Sequence, residues 1–493
     1  MRAVVFGATG YIGGRLVPEL LRAGHQVRVM ARTPTKLDDV PWRDDVEVVA
    51  GDVTDRESVA AALTGQEVLY YLVHSLVQRD FVDVDHRAAL LVGETAHAAG
   101  LHRIVYLGGL VPEAEELSPH LASRAQVGQT LRASGVPTAE LRAAVILGSG
   151  SASFEMLRYL SERLPAMITP RWVKNRIQPI AVRDVLYYLV GAAGLPADVN
   201  RSFDIGGPDV LTYLTMMRKY AVIAGLPRRV VVPVPVLTPW LSAQWVNLVT
   251  PVPRSIAVPL MESLIHEVVC REHHIAEYIP DPPEGFIGYE RAVELALTRI
   301  KDLDVPTRWS DADTSPAPSD PLPSDPSWSG GTLYKDERET TTSASPDALW
   351  NVIEAIGGET GWYSFPLAWS VRGWIDRVTG GVGLRRGRRD PRRLRVGEAL
   401  DWWRVEALDR PRLLRLRAEM KVPGDAWLEL SVIPNDGGGS TYRQRALFRP
   451  NGLAGHLYWA FIVPFHNAVF SGMARNITGE AEASPTISDK DIA

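Results

Sequence analysis

Through its first 150 residues the chain alternates two rhythms. Short apolar runs at 3–6, 26–30, 46–49, 68–73, 103–107 and 138–145 read as buried strands. Between them, 11–23, 56–63 and 86–99 space apolar residues as one face of a helix does. This alternation predicts an α/β domain, a doubly wound parallel sheet with helices on both faces. Its ligand should lie beyond the carboxyl ends of the strands. From about 150 to 303 the rhythm loosens. A strand at 177–182 runs into a helix near Arg183-Asp184, 203–208 reads as strand then turn, and 211–224 and 289–300 are helical. These segments are expected to form a small cap over roughly 150–303 that completes a pocket.

Periodicity breaks over 304–332, where Pro, Ser and Asp dominate, and a linker is expected between domains 1–303 and 333–480. In the second domain 334–342 reads as a strand and 346–356 as a helix. Runs at 400–405, 412–420, 426–433 and 441–447 read as an antiparallel meander, with Asn435 to Gly439 turning one hairpin. A long apolar helix over 453–477 follows, and 481–493 is expected to be a disordered tail.

Composition narrows this picture. A length of 493 residues suits two or three domains, and 46% hydrophobic with 23% charged residues suits a soluble globular protein. The net charge of −5 gives no electrostatic reason to expect a nucleic-acid partner. Cys270 is the one cysteine, so a reducing, cytoplasmic setting fits. Following Val268-Val269, Cys270 is expected to be a buried, inert thiol. The apolar run at the amino end is too short for a secretory signal. Residues 230–253 carry no formal charge, but five prolines interrupt them. They read as a pocket wall, with a lipid-touching surface as the alternative.

The chemistry begins at Gly7-Ala-Thr9-Gly10-Tyr11-Ile12-Gly13, between the first strand and the first helix. Gly7 permits a tight turn, Gly10 lets a pyrophosphate approach the backbone, and Gly13 lets helix and strand pack closely. Free amides and the helix dipole favour the anion. These features together predict a dinucleotide site. Arg32 ends the second strand where NAD-binding chains place an acid, and its guanidinium suits a 2′-phosphate. NADP is therefore expected, with NAD as the alternative. Asp52 and Val53 follow the third strand and could meet the adenine. Asp55 could instead simply cap the next helix.

GATGYIGG, the strand-end Arg32, the GDVTD segment, Gln178 to Asp184 and the FDIGGP turn resemble the atypical short-chain dehydrogenase/reductase superfamily. They resemble its NmrA-like branch in particular, which is related to the accessory NAD(P)-binding subunit of respiratory complex I. The likeness covers about residues 1–300. It implies a Rossmann domain with cofactor contacts at Gly7, Thr9, Gly10, Tyr11, Ile12, Gly13, Arg32, Asp52, Val53, His74 and Ser75. Active members carry a serine and a Tyr-x-x-x-Lys motif; here Gly108 and Gly109 stand at the serine position, His120 at the tyrosine and Arg124 at the lysine. Histidine carries a proton near neutral pH, whereas arginine holds a ribose or phosphate without relaying one. His120 and Arg124 are thus the expected catalytic pair of a reductase acting on an apolar carbonyl or quinone-like substrate. The alternative is a protein that senses NADP(H) without catalysis. Gly148 to Ser151 reads either as a wall of the nicotinamide pocket or as a plain turn.

The second domain resembles the helix-grip (START-like, SRPBCC) α+β fold in element order and in the stretch from Tyr458 to His466. That resemblance implies an apolar ligand. Its dense aromatics, Trp362, Tyr363, Phe365, Trp369, Trp374, Trp402 and Trp403, read mostly as core. Seven arginines fall between Arg385 and Arg395. They read as a solvated basic loop or as peripheral contact with an anionic membrane on its inner face. No metal-ligand spacing is present in the sequence.

Overall fold

Seven parallel strands centre the first of two units in the computed structural model, which describes residues 1–74, 81–112, 117–234, 249–303, 332–357, 361–363, 390 and 393–483. The units are Met1–Gly331 and Thr332–Ala493. In chain order the strands are β1 (Arg2–Phe6), β2 (Gln26–Ala31), β3 (Glu47–Ala50), β4 (Val68–Tyr71), β5 (Arg103–Gly109), β6 (Thr138–Ala143) and β7 (Arg201–Ile205). Across the sheet they run β7-β6-β5-β4-β1-β2-β3. The order reverses between β1 and β4, so the loops leaving their carboxyl ends diverge and open a crevice there.

The central strands of the sheet are buried on both faces because apolar residues occupy successive positions of β1 and β4. On β1, Val4 and Phe6 pack with Val59 and Leu63 of α2 (Arg56–Leu63) and Val92 of α3 (Phe81–Ala98). Ala3 and Val5 point the other way, onto Leu16 and Leu20 of α1 (Tyr11–Arg22) and Leu186 of α6 (Val182–Ala192). α4 (Pro119–Arg132) connects β5 to β6. The expected continuous cap over 150–303 is interrupted. α6 and β7 return to the main sheet, where β7 pairs in parallel with β6 and covers what would otherwise be an open edge. The expected strand at 177–182 is split into Arg176–Ile177 and Ile180–Ala181, because Pro179 between them has no N–H to donate. The rest of the cap includes the helices α5 (Ala152–Arg163), α7 (Tyr213–Ile223), α8 (Arg254–Ser263) and α9 (Tyr289–Leu303), which share a core including Phe154, Met216, Tyr220 and Val293. Cys270 is half-buried, and burial pushes its thiol up to about 12, as an unreactive thiol requires.

The second unit is one antiparallel sheet with two helices. Its elements are β8 (Tyr334–Thr342), α10 (Pro346–Glu354), β9 (Ala399–Leu400), β10 (Trp403–Asp409), β11 (Leu413–Ala418), β12 (Gly424–Pro434), β13 (Ser440–Pro450) and α11 (Gly452–Ala483). They pair in the order β8-β13-β12-β11-β10-β9. The expected strand at 400–405 breaks at Asp401, whose φ of 55° turns the chain. Leu414, Leu416, Leu428 and Leu430 face Met473 and Ile477 of α11, and Trp362, Trp402 and Trp403 belong to this same core. Among the described residues no helix is long and apolar enough to cross a membrane. Ser75, Phe365, Trp369, Trp374, Arg385 to Arg389, Arg392, the linker over 304–331 and the tail beyond 483 lie outside the described residues.

Candidate functional site

The glycine turn is held by close backbone contact. Gly7 has φ of +97°, and a Cβ there would sit 2.6 Å from the Leu72 carbonyl oxygen. A Cβ on Gly13 would sit 2.2 Å from the Gly7 oxygen. Both positions therefore need glycine so that α1 can lie on β1. Gly10 is the N-cap of α1, and neither a capping side chain nor an acid in the first turn competes for the amides there. That is the arrangement an anion requires.

A groove of about 650 Å³ opens over this turn, lined by Gly7, Thr9, Gly10, Arg32, Asp52, Val53 and His74. Arg32 is exposed and pairs with no carboxylate among the described residues. Asp52 serves its own turn as well as the groove, because its Oδ1 accepts from Thr54 N at 2.9 Å and from Thr54 Oγ1 at 2.7 Å. Asp55 caps α2 by accepting from Ser58 N at 3.0 Å. Gly13 lines neither this groove nor the cavity described next; its close approach to the Gly7 backbone lets α1 pack on β1.

Tyr11 and Ile12 turn their side chains elsewhere, into a second cavity of about 190 Å³ whose wall is mostly apolar. Gly108, Gly109, His120, Arg124, Ser151, Met156 and Leu264 also line it. His120 and Arg124 stand four residues apart on α4 and so share one face. Ser118 starts that helix by accepting from Leu121 N at 3.3 Å. Arg124 Nη2 donates to the Leu107 carbonyl at 2.6 Å, which fixes the guanidinium beside the end of β5. The Ser151 hydroxyl is committed to the Ile146 carbonyl at 2.6 Å, so the turn at 148–151 is structural as well as lining.

Groove and cavity meet at two histidines. His74 leaves the end of β4 and lines the groove; His120 lines the cavity. His74 Nε2 lies 3.1 Å from His120 Nδ1, and His74 Nδ1 lies 2.6 Å from Asp85 Oδ2. Asp85, on the buried face of α3, has 4% exposure. Sequence reasoning missed it, because the helix was expected to begin at 86. Burial first, then the charges of Arg124 and His74, lower His120 to about 2. The expectation that His120 carries a proton near neutrality by itself is therefore corrected: it stays a neutral imidazole. His74 is also lowered, since its burial outweighs the hydrogen bond to Asp85.

Residues 7–147 match a family model described as NAD(P)H-binding, and residues 328–473 match one described as a protein of unknown function (DUF2867). The ceramide reductase of Caulobacter vibrioides is 28% identical over 46% of this chain and 72% of its own length. The 3-beta-hydroxysteroid dehydrogenase of Mycolicibacterium neoaurum is 31% identical over 21% of this chain, which spans only 31% of that protein. NADH dehydrogenase [ubiquinone] 1 alpha subcomplex subunit 9 of Arabidopsis thaliana is 24% identical over 48% of this chain and 61% of its own length. Among solved structures, Citrobacter sp. triphenylmethane reductase complexed with NADP(H) covers 60% of this chain, with 20% identity and a TM-score of 0.49. The first unit thus contains an NAD(P)H-binding Rossmann domain and resembles reductases. The likeness of the second unit to START-like domains remains an expectation.

Proposed function

We propose that the first unit is an NADPH-dependent oxidoreductase that exchanges hydride with an apolar carbonyl or quinone-like substrate. The observation that carries this reading is the meeting of a polar nucleotide groove and an apolar cavity at His74 and His120. The glycine turn binds the pyrophosphate, Arg32 the 2′-phosphate, and Arg124 orients what lies beside Gly108 and Gly109. Bound NAD(P)H supplies the hydride; the protein's part is to exclude water and to move the accompanying proton through His120. Two relatives named for ceramide and for a hydroxysteroid, both apolar, support the choice of substrate class.

The test follows loss of reduced-nicotinamide absorbance with menadione and decanal as probes. The wild-type chain should oxidise NADPH with at least one of them. His120→Ala should lower kcat by roughly 10²–10⁴-fold with the NADPH Kd unchanged. An unchanged kcat removes His120 from the chemistry. Tight NADPH binding with no oxidation of either probe would favour the sensor reading, for which the missing Ser, Tyr and Lys speak.

A further inference from the structure

The hydrogen bonds at the junction fix which ring nitrogens carry protons. An ionised Asp85 only accepts, so His74 Nδ1 must hold the hydrogen of the 2.6 Å contact. A neutral His74 then has a bare Nε2. The 3.1 Å contact to His120 Nδ1 is a hydrogen bond only if His120 Nδ1 is the donor. His120, neutral in its turn, is left with a bare Nε2. That atom takes no partner among the described residues, and His120 lines the apolar cavity.

We propose that Asp85, His74 and His120 form a proton relay whose resting state presents an unprotonated Nε2 to the cavity. The site then takes a proton from an apolar alcohol or hydroquinone, and gives one to a carbonyl or quinone only after the relay has been charged. In the accepting direction the substrate O–H bond breaks and an N–H bond forms at His120 Nε2. The Nδ1 proton of His120 passes to His74 Nε2. The positive charge settles on His74 against the Asp85 carboxylate, so His120 never holds it. The matching hydride goes to an oxidised nicotinamide dinucleotide, and in this the inference rests on the function proposed above. The reverse direction begins by charging the relay the same way: solvent places a proton on His120 Nε2, the His120 Nδ1 proton passes to His74 Nε2, and the N–H now on His120 Nε2 is the one given to the carbonyl or quinone. His120 is the catalytic residue here; His74 and Asp85 are positioning residues that act through it.

Among the described residues the charged and titratable groups that face His74 are Asp85 from α3 and His120 and Arg124 from α4. Burial holds His74 below its ordinary 6.5. The relay is therefore uncharged at neutral pH and takes up its charge only below the range in which a free histidine does. Reduction should quicken as pH falls toward the relay's own pKa, and oxidation should quicken as pH rises and then level off.

The deciding experiment uses the full chain without cofactor, labelled with ¹⁵N-histidine, and reads ring tautomers by long-range ¹H–¹⁵N spectra, with His74→Gln and His120→Gln as assignments. At neutral pH both rings should carry hydrogen on Nδ1, the less common tautomer of a free histidine side chain. In Asp85→Asn the carboxylate's demand is gone, and His120 should revert to hydrogen on Nε2. A wild-type His120 with hydrogen on Nε2 overturns the relay even if NADPH is oxidised. The expected tautomers in a chain that oxidises no probe leave the relay standing and reject the oxidoreductase reading instead. With a turnover probe, Asp85→Asn should lower kcat about tenfold or more, keep the NADPH KM, and flatten the pH profile. An unchanged profile in that variant counts against the relay.

Discussion

Each unit of this chain holds a three-membered polar cluster built around a buried carboxylate, and the two clusters end differently. In the first, Asp85, His74 and His120 lead from the interior to a ring that faces a cavity. In the second, Glu429 on β12 receives Arg415 Nε from β11 at 2.8 Å and faces Arg445 of β13 at 3.0 Å, the three side by side across adjacent strands. Arg415 is fully buried, and its guanidinium meets the Glu429 carboxylate. Burial of polar groups therefore does not mark a site. What marks one is a chain of such groups with an end turned toward open space. In the closed cluster a lost member should cost stability; in the open one it should cost turnover.

The sharpest way to break that contrast is Glu429→Ala. It strands the buried Arg415 charge, which should cost about 3–5 kcal/mol. Calorimetry should show the melting of the second unit fall by many degrees while the full chain binds NADPH as before. A variant that melts normally but loses NADPH would reverse the assignment of the two clusters.

Gly13→Ala should have the next largest effect, at the backbone that both groove and fold depend on. The new methyl would meet the Gly7 oxygen at 2.2 Å and the Gly7 carbonyl carbon at 2.7 Å, and neither can swing aside as a side chain would. Lifting α1 off β1 should cost about 1–3 kcal/mol, as overpacking does. Because the first-turn amides move with the helix, NADPH should bind more than tenfold more weakly by titration calorimetry. This variant should differ from the Glu429 one by losing stability and ligand together. Normal binding in it would mean that the first turn of α1 does not hold the diphosphate.

The contrast also separates what sequence reasoning can see from what it cannot. The parallel strands and the glycine turn were legible because local rules determine them: apolar runs of strand length, and positions where only glycine fits. Arg32, Asp52, Val53 and His74 were legible because they sit at strand ends, which the sheet order sends to one crevice. β7 was assigned to the cap because Phe203 and Ile205 are equally apolar in either place, and only tertiary pairing shows that β6 needed a neighbour. Asp85 was hidden for a similar reason. An acid near a helix start looks like a solvated residue until the fold brings His74 to 2.6 Å. The neutrality of His120 was equally hidden, because desolvation belongs to the assembled site and not to the residue.

Arg32 lies at the far end of the same scale, and the smallest of these effects is expected there. It is exposed and no carboxylate holds it, so Arg32→Gln should leave the melting temperature within error. Its guanidinium can engage a 2′-phosphate but has nothing charged to engage on the bare ribose of NADH. Losing it should weaken NADPH about tenfold, roughly 1.4 kcal/mol, and leave NADH unchanged. The measurement is a pair of fluorescence titrations on wild type and variant, run at low and moderate salt because an exposed pairing is screened. If the wild type binds both dinucleotides equally, or the variant weakens both alike, Arg32 does not discriminate between them. Equal binding by the wild type would also remove the expectation of NADP over NAD.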